Sequence, residues 1–171
     1  AKGARLHPSH GRWRNTQGTV LQGAGRATEA LHAYQQALAW SPADADAYFN
    51  LGTLHEGATD YSAALAAYRH ALVLEPPDEA RVHNNIGGVL MARGELDASV
   101  ASYREAVDAD PDFADGRYNL HSTAYAMLCY AMLCYAMLCY AMLCYAVLCY
   151  AMRCYAVICC AVLCCARYNL G

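Results

Sequence analysis

Residues 45–78, ADAYFNLGTLHEGATDYSAALAAYRHALVLEPPD, recur in outline on both sides of themselves, and this periodicity restricts the fold more than any other feature. At a shift of 34 residues upstream, Gly52, Ala64, Tyr68, Ala71 and Pro76 find counterparts in Gly18, Ala30, Tyr34, Ala37 and Pro42. At a shift of 35 downstream, Gly52, Tyr68, Ala71 and Pro76 meet Gly87, Tyr103, Ala106 and Pro111. A period of this length belongs to stacked supersecondary units, each too small to bury its own apolar face. The expected fold is an all-α helix-turn-helix solenoid.

Each unit reads as two short helices. Tyr48, Leu51, Gly52 and His55, then Ala64, Leu65, Tyr68, Ala71 and Leu72, recur at spacings of three and four, one face of a helix. Ser41-Pro42 breaks the chain before the first helix, and Asp44 suits its cap. Ala58-Thr59-Asp60 forms the inner turn, matched by Gly23-Ala24-Gly25 and Arg93-Gly94-Glu95, where glycine permits a left-handed residue. Glu75-Pro76-Pro77-Asp78 closes the second helix and absorbs the extra residue of the longer spacing. Gly52 and Gly87 are read as points of close helix approach, with Ala64 and Ala71 leaving room for the Tyr68 ring. A bulky residue at Gly52 is expected to cost ~1–3 kcal/mol by overpacking.

The run Tyr48-x2-Leu51-Gly52-x2-His55, followed by Ala64-x3-Tyr68 and Pro76, resembles the tetratricopeptide repeat (TPR) pattern. His55 replaces the usual tyrosine, and Tyr48 stands where tryptophan is common. Residues 80–113 resemble the pattern nearly as well, with Ser99 at the first alanine position; in 11–44, Gln17 stands where leucine is expected. The organisation that follows has four parts: a basic arm at 1–10, expected to be disordered, then a repeat region at 11–120, a low-complexity tract at 121–166, and a resumed repeat helix at 167–171. The repeat region comprises units 11–44, 45–78 and 80–113, with a fourth starting at 114.

The tract reads YAMLC four times from Tyr125, then drifts through YAVLC, YAMRC, YAVIC and CAVLC. A five-residue period advances 140° per unit on a helix and alternates faces on a strand, so neither form gains a stripe. The five-base unit TATGC, read in any forward frame, encodes the same cyclic peptide, and the near-duplicates Arg117–Leu120 and Arg167–Leu170 flank it. The tract is therefore read as a translated microsatellite that interrupts the fourth unit. Residues 124–152 carry no charge and exceed the ~20 residues that cross a bilayer, which makes membrane association possible there. Tyrosine recurs at every depth, however, instead of gathering at interfaces.

Charge is segregated. Residues 1–26 carry Lys2, Arg5, Arg12, Arg14 and Arg26 and no acid, whereas 27–116 carry four arginines against fifteen acids. No aromatic-basic alternation accompanies the basic end, so nucleic acid is not an expected partner. No apolar run follows it, so it is not a signal peptide, and the expected compartment is the cytoplasm. All ten cysteines lie between Cys129 and Cys165, without Cys-x2-Cys spacing, and the histidines form no HExxH pair. No phosphate loop or nucleophile elbow is present either. The expectation is a non-catalytic protein with neither metal nor cofactor.

The most informative polar pattern is Asn50-Leu51-Gly52, Asn85-Ile86-Gly87, Asn119-Leu120 and Asn169-Leu170-Gly171. Each asparagine precedes a core-facing residue and therefore points ~100° away, towards the surface that first helices share. An amide donates and accepts at once, so a column of them can hold a peptide backbone of any sequence. This column is similar to that of the TPR superhelix in O-linked N-acetylglucosamine transferases. The resemblance implies a protein or peptide ligand bound by Asn50, Asn85 and Asn119, with Phe49 and Tyr118 as apolar contacts. It leaves open a fragment of such a transferase or a membrane-tethered scaffold. Other repeats of this kind clamp an acidic tail with lysines and arginines. Here the expected inner positions include Asp46, Phe49, Thr53, Glu56 and Met91, with only Arg81, Arg14 or Arg117 to serve, so an acidic tail is not the expected ligand.

Overall fold

The computed structural model describes the backbone of residues 8–168 and the side chains of residues 10–150 and 152. Among these residues there is no strand and there are seven helices: α1 (Pro8–Gly23), α2 (Ala27–Trp40), α3 (Ala45–Gly57), α4 (Tyr61–Val73), α5 (Glu79–Ala92), α6 (Leu96–Ala109) and α7 (Ala114–Tyr168). The chain divides into two compact units, Ala1–Ala124 and Tyr125–Gly171.

Within the first unit, α1–α2, α3–α4 and α5–α6 form hairpins that follow the sequence period. Asp44, Asp60 and Asp78 start α3, α4 and α5, their carboxylates accepting hydrogen bonds from the N–H groups of Ala47, Ala63 and Arg81 at 3.0, 3.1 and 3.1 Å. At the inner turns Gly25 and Gly94 take φ of +74° and +80°. Thr59 holds the equivalent place with φ of +60°, which a β-branched residue adopts only at a cost.

The packing rests on one contact repeated three times. Tyr34, Tyr68 and Tyr103 are 0%, 0% and 1% exposed. A Cβ built on Gly52 would lie 2.5 Å from Cε1 of Tyr68, and one on Gly87 would lie 2.6 Å from Cε1 of Tyr103. Gly18 meets Tyr34 in the same way. Each ring thus packs its Cδ1–Cε1 side against a bare backbone, with Ala64 and Ala71 buried beside Tyr68. Consecutive hairpins share their cores. Leu51 packs on Ala30, Tyr34 and Leu54, while Val82, Ile86, Val89 and Leu90 join Leu65 and Tyr68.

Three details differ from the sequence reading. First, α1 starts at Pro8, inside the arm placed at 1–10, because proline is preorganised for the first turn of a helix. Second, Gln17 does not disturb α1. Its counterparts Leu51 and Ile86 pack in the core, whereas Gln17 is half-buried and accepts a hydrogen bond from Arg14 at 2.8 Å. Third, Ser99 does not simply replace an alanine. Its Oγ is buried without a hydrogen bond of good geometry.

The tract is helical, as part of α7, although its period favours no face. Ala, Met and Leu are strong helix formers, and the tract lacks glycine and proline. Within the second unit every described side chain except Met127 is exposed. Cys129, Cys134, Cys139, Cys144 and Cys149 are free thiols. The resumed helix proposed at 167–171 and its Asn169 lie outside the residues whose side chains are described.

Candidate peptide-binding face

Polar side chains join the first helices of neighbouring repeats at two junctions, α1 with α3 and α5 with α7. Asn50 donates from Nδ2 to Oδ1 of Asn15 at 2.9 Å, linking α3 to α1. Asn119 repeats the bond to Oδ1 of Asn84 at 2.9 Å, linking α7 to α5. Between these two pairs the acceptor's place is held by Phe49, which has no oxygen to offer. Asn85 reaches instead to the hydroxyl of Tyr68 at 3.4 Å. All three sequence-selected asparagines are therefore half-buried on first helices, each with one N–H engaged. Their Oδ1 atoms accept no hydrogen bond among the described residues.

Asn15 and Asn84, the partners, escaped the sequence reading. They lie one position out of repeat register with Asn50 and Asn119, so an alignment by period separates them. A separation of 35 residues, common to both pairs, was the available signal.

The apolar candidates divide. Tyr118 is 72% exposed. Phe49 packs instead against the core, its ring tilted on Tyr68 at a centroid distance of 5.8 Å, and Arg81 lies over the Phe49 ring at 4.7 Å. Arg81 also pairs with Asp78 at 3.3 Å. Arg14 lies elsewhere, donating to Gln17 at 2.8 Å and lining a cleft of about 200 Å³ between α1 and α2. A larger open cleft, about 530 Å³, runs from Arg12, Asn15 and Thr16 to Asp46 and Glu75.

The tyrosine hydroxyls tie the core to this face. Tyr34 donates to Oε1 of Gln22 at 2.8 Å, and Tyr68 donates to Oε2 of Glu56 at 2.7 Å. Met91 follows at the same place in the third hairpin and offers no oxygen. Burial pushes the Tyr34 phenol up to about 12. It raises Tyr68 further, assisted by the bond to the Glu56 carboxylate. Tyr103 is raised by burial too, an effect that the Ser99 hydroxyl opposes without forming a well-aligned bond. Gln22 donates onward from Nε2 to Oγ1 of Thr53 at 3.3 Å, a second bridge between first helices. Among the described residues no three His, Cys, Asp or Glu side chains converge as a metal site.

Comparison with known proteins agrees with this architecture. A family model described as Tetratricopeptide repeat matches residues 50–112, and one described as TPR repeat matches residues 24–57. The chain belongs to the tetratricopeptide repeat family. The first TPR domain of Spaghetti (RPAP3), solved with the HSP90 peptide SRMEEVD, superposes with a TM-score of 0.67 at 14% identity, covering 74% of this chain and 99% of that one. The O-GlcNAc transferase of Thermobaculum terrenum gives a TM-score of 0.62 at 26% identity, covering 70% of this chain but 23% of the enzyme. MamA gives 0.64 at 19% identity, with 70% of each chain covered. No curated protein matches the chain by sequence.

Proposed function

We propose that the face shared by α1, α3, α5 and the opening of α7 binds a protein segment in extended conformation. Asn50, Asn85 and Asn119 pair with its backbone, and Tyr118 and the edge of Phe49 supply apolar contact. The observation that carries this reading is the amide spacing. Consecutive first helices each present one asparagine, held in place by an internal N–H bond that leaves its carbonyl oxygen available. The Spaghetti domain, which shares the fold, was solved with a bound HSP90 peptide, and this supports a peptide ligand. Asn50→Ala combined with Asn85→Ala is expected to weaken binding to a random peptide library by ~10-fold or more, while circular dichroism shows unchanged helix content. Unaltered affinity would remove the amides from the mechanism.

The likeness to a transferase of which this chain spans 23% supports a more specific version, in which the scaffold presents protein substrates to a glycosyltransferase. A nucleotide-sugar-binding domain encoded downstream of Gly171 is its test.

The tract supports an added role as a tether. Described side chains of 125–150 are exposed on all faces of α7, with Tyr130 at 69%, Met132 at 66% and Leu133 at 60%. A helix that is apolar all round fits a bilayer better than a single protein groove. The charge-free stretch 124–152 would extend about 43 Å, against ~30 Å of hydrocarbon. The full chain should resist carbonate extraction from membranes, and a chain ending at His121 should be released. Release of both would leave the tract without a membrane role.

A further inference from the structure

On the face just described, one position breaks the pattern of internal bonding. In the first hairpin, Gln22 receives the Tyr34 hydroxyl and passes a hydrogen bond to Thr53 of the next first helix. One unit on, Glu56 replaces Gln22 and Gly88 replaces Thr53. Glu56 accepts from Tyr68 through Oε2, but Gly88 has no hydroxyl to meet its other oxygen. The ion pairs of the described residues engage Glu29, Asp60, Asp78, Glu79, Glu95 and Glu105, and none engages Glu56.

The placement is unfavourable on two counts. Glu56 is half-buried without a cation, and it lies in the last turn of α3, where the helix dipole disfavours negative charge. Glutamine would satisfy Tyr68 equally well, as Gln22 does for Tyr34. The space beside it is open. A Cβ on Gly88 would meet only the Tyr103 hydroxyl, at 3.8 Å. The Tyr103 hydroxyl borders the gap and Asn85 lies one turn away on α5, while Arg81 is engaged by Asp78 and Phe49.

We infer that Glu56 and the gap at Gly88 form an anchoring site for the lysine or arginine side chain of a bound peptide. The inference rests on the peptide-binding reading of this face and adds a charge preference to it. The ligand cation takes the place that Thr53 fills towards Gln22, donating to the uncommitted carboxylate oxygen, while the asparagines hold the backbone on either side. A ligand of this kind is opposite in charge to SRMEEVD, the acidic peptide on the Spaghetti domain.

The test uses the full chain in nonionic detergent and three random nonapeptide libraries, their central residue fixed as lysine, norleucine or glutamate. The lysine library should bind ~10-fold tighter than norleucine, and glutamate more weakly than both. Glu56→Gln keeps the acceptor for Tyr68 and should reduce lysine binding to the norleucine level without changing norleucine binding. Gly88→Thr, which supplies the missing hydroxyl in open space, should do the same. Equal binding of lysine and norleucine, or a lysine preference that survives Glu56→Gln, would overturn the anchor while leaving the groove intact. Binding of no library would overturn both.

Discussion

Gly52→Leu should lower the stability of the repeat region by more than about 3 kcal/mol, beyond the usual cost of overpacking, because the neighbour has nowhere to go. The first atom of any side chain at Gly52 arrives 2.5 Å from the Tyr68 ring. That ring is fully buried, held by Glu56 at its hydroxyl and by Ala64 and Ala71 at its sides. Gly57, in the same helix, is the internal control. A Cβ there meets nothing within 4 Å, so Gly57→Ala should gain up to ~1 kcal/mol from helix propensity. Tyr68→Ala alone should cost ~3–5 kcal/mol by opening a cavity. The double variant Gly52→Leu with Tyr68→Ala separates packing from propensity. The leucine then fills space that the ring vacated, and the combined loss should fall well below the sum of the single losses. Urea unfolding followed by circular dichroism reads all four variants. Additive losses would mean that the glycine is not there for the tyrosine.

This contact was legible in the sequence because both partners recur with the period. Glycine at 18, 52 and 87 and tyrosine at 34, 68 and 103 stay sixteen residues apart, a separation fixed by two helices and a short turn. The aspartate cap at Asp44 and the turn glycines were legible for a similar reason, since each acts within a few residues of itself. The amide face was only half legible. Direction along a helix placed Asn50, Asn85 and Asn119 together, but their partners depend on the offset between neighbouring helices, which no local pattern records. That offset brings Asn15 and Asn84 one residue out of step, and it exchanges an amide partner for a phenol wherever phenylalanine intervenes. The same blindness hid the setting of Glu56. Helix direction places it among the inner positions, but its bond to the Tyr68 hydroxyl depends on how α3 and α4 meet. The tract posed the opposite difficulty. Its side-chain period carries no face information, so the decision fell to the backbone, which a helix satisfies without any partner.

Alkali should unfold the repeat region with unusual steepness, because three phenols are buried at the same place in three hairpins. Each of Tyr34, Tyr68 and Tyr103 has its pKa raised from 10.0 in the folded chain, Tyr34 to about 12. The unfolded chain ionises these groups first, so above pH ~10 it binds fewer protons than the folded chain, and stability falls as pH rises. Below pH ~10 both states hold the protons and the contribution is complete. For Tyr34 the loss runs from about pH 10 to about pH 12 and amounts to a few kcal/mol at most. While all three remain protonated only in the folded state, the slope approaches ~4 kcal/mol per pH unit. Denaturant midpoints measured in detergent from pH 8 upwards should therefore stay level and then drop together with a rise in phenolate absorbance. Tyr34→Phe should remove about a third of the slope and leave the plateau lower by no more than the lost Gln22 bond, ~1 kcal/mol. A slope unchanged by Tyr34→Phe would show that the buried Tyr34 phenol does not contribute to alkaline unfolding.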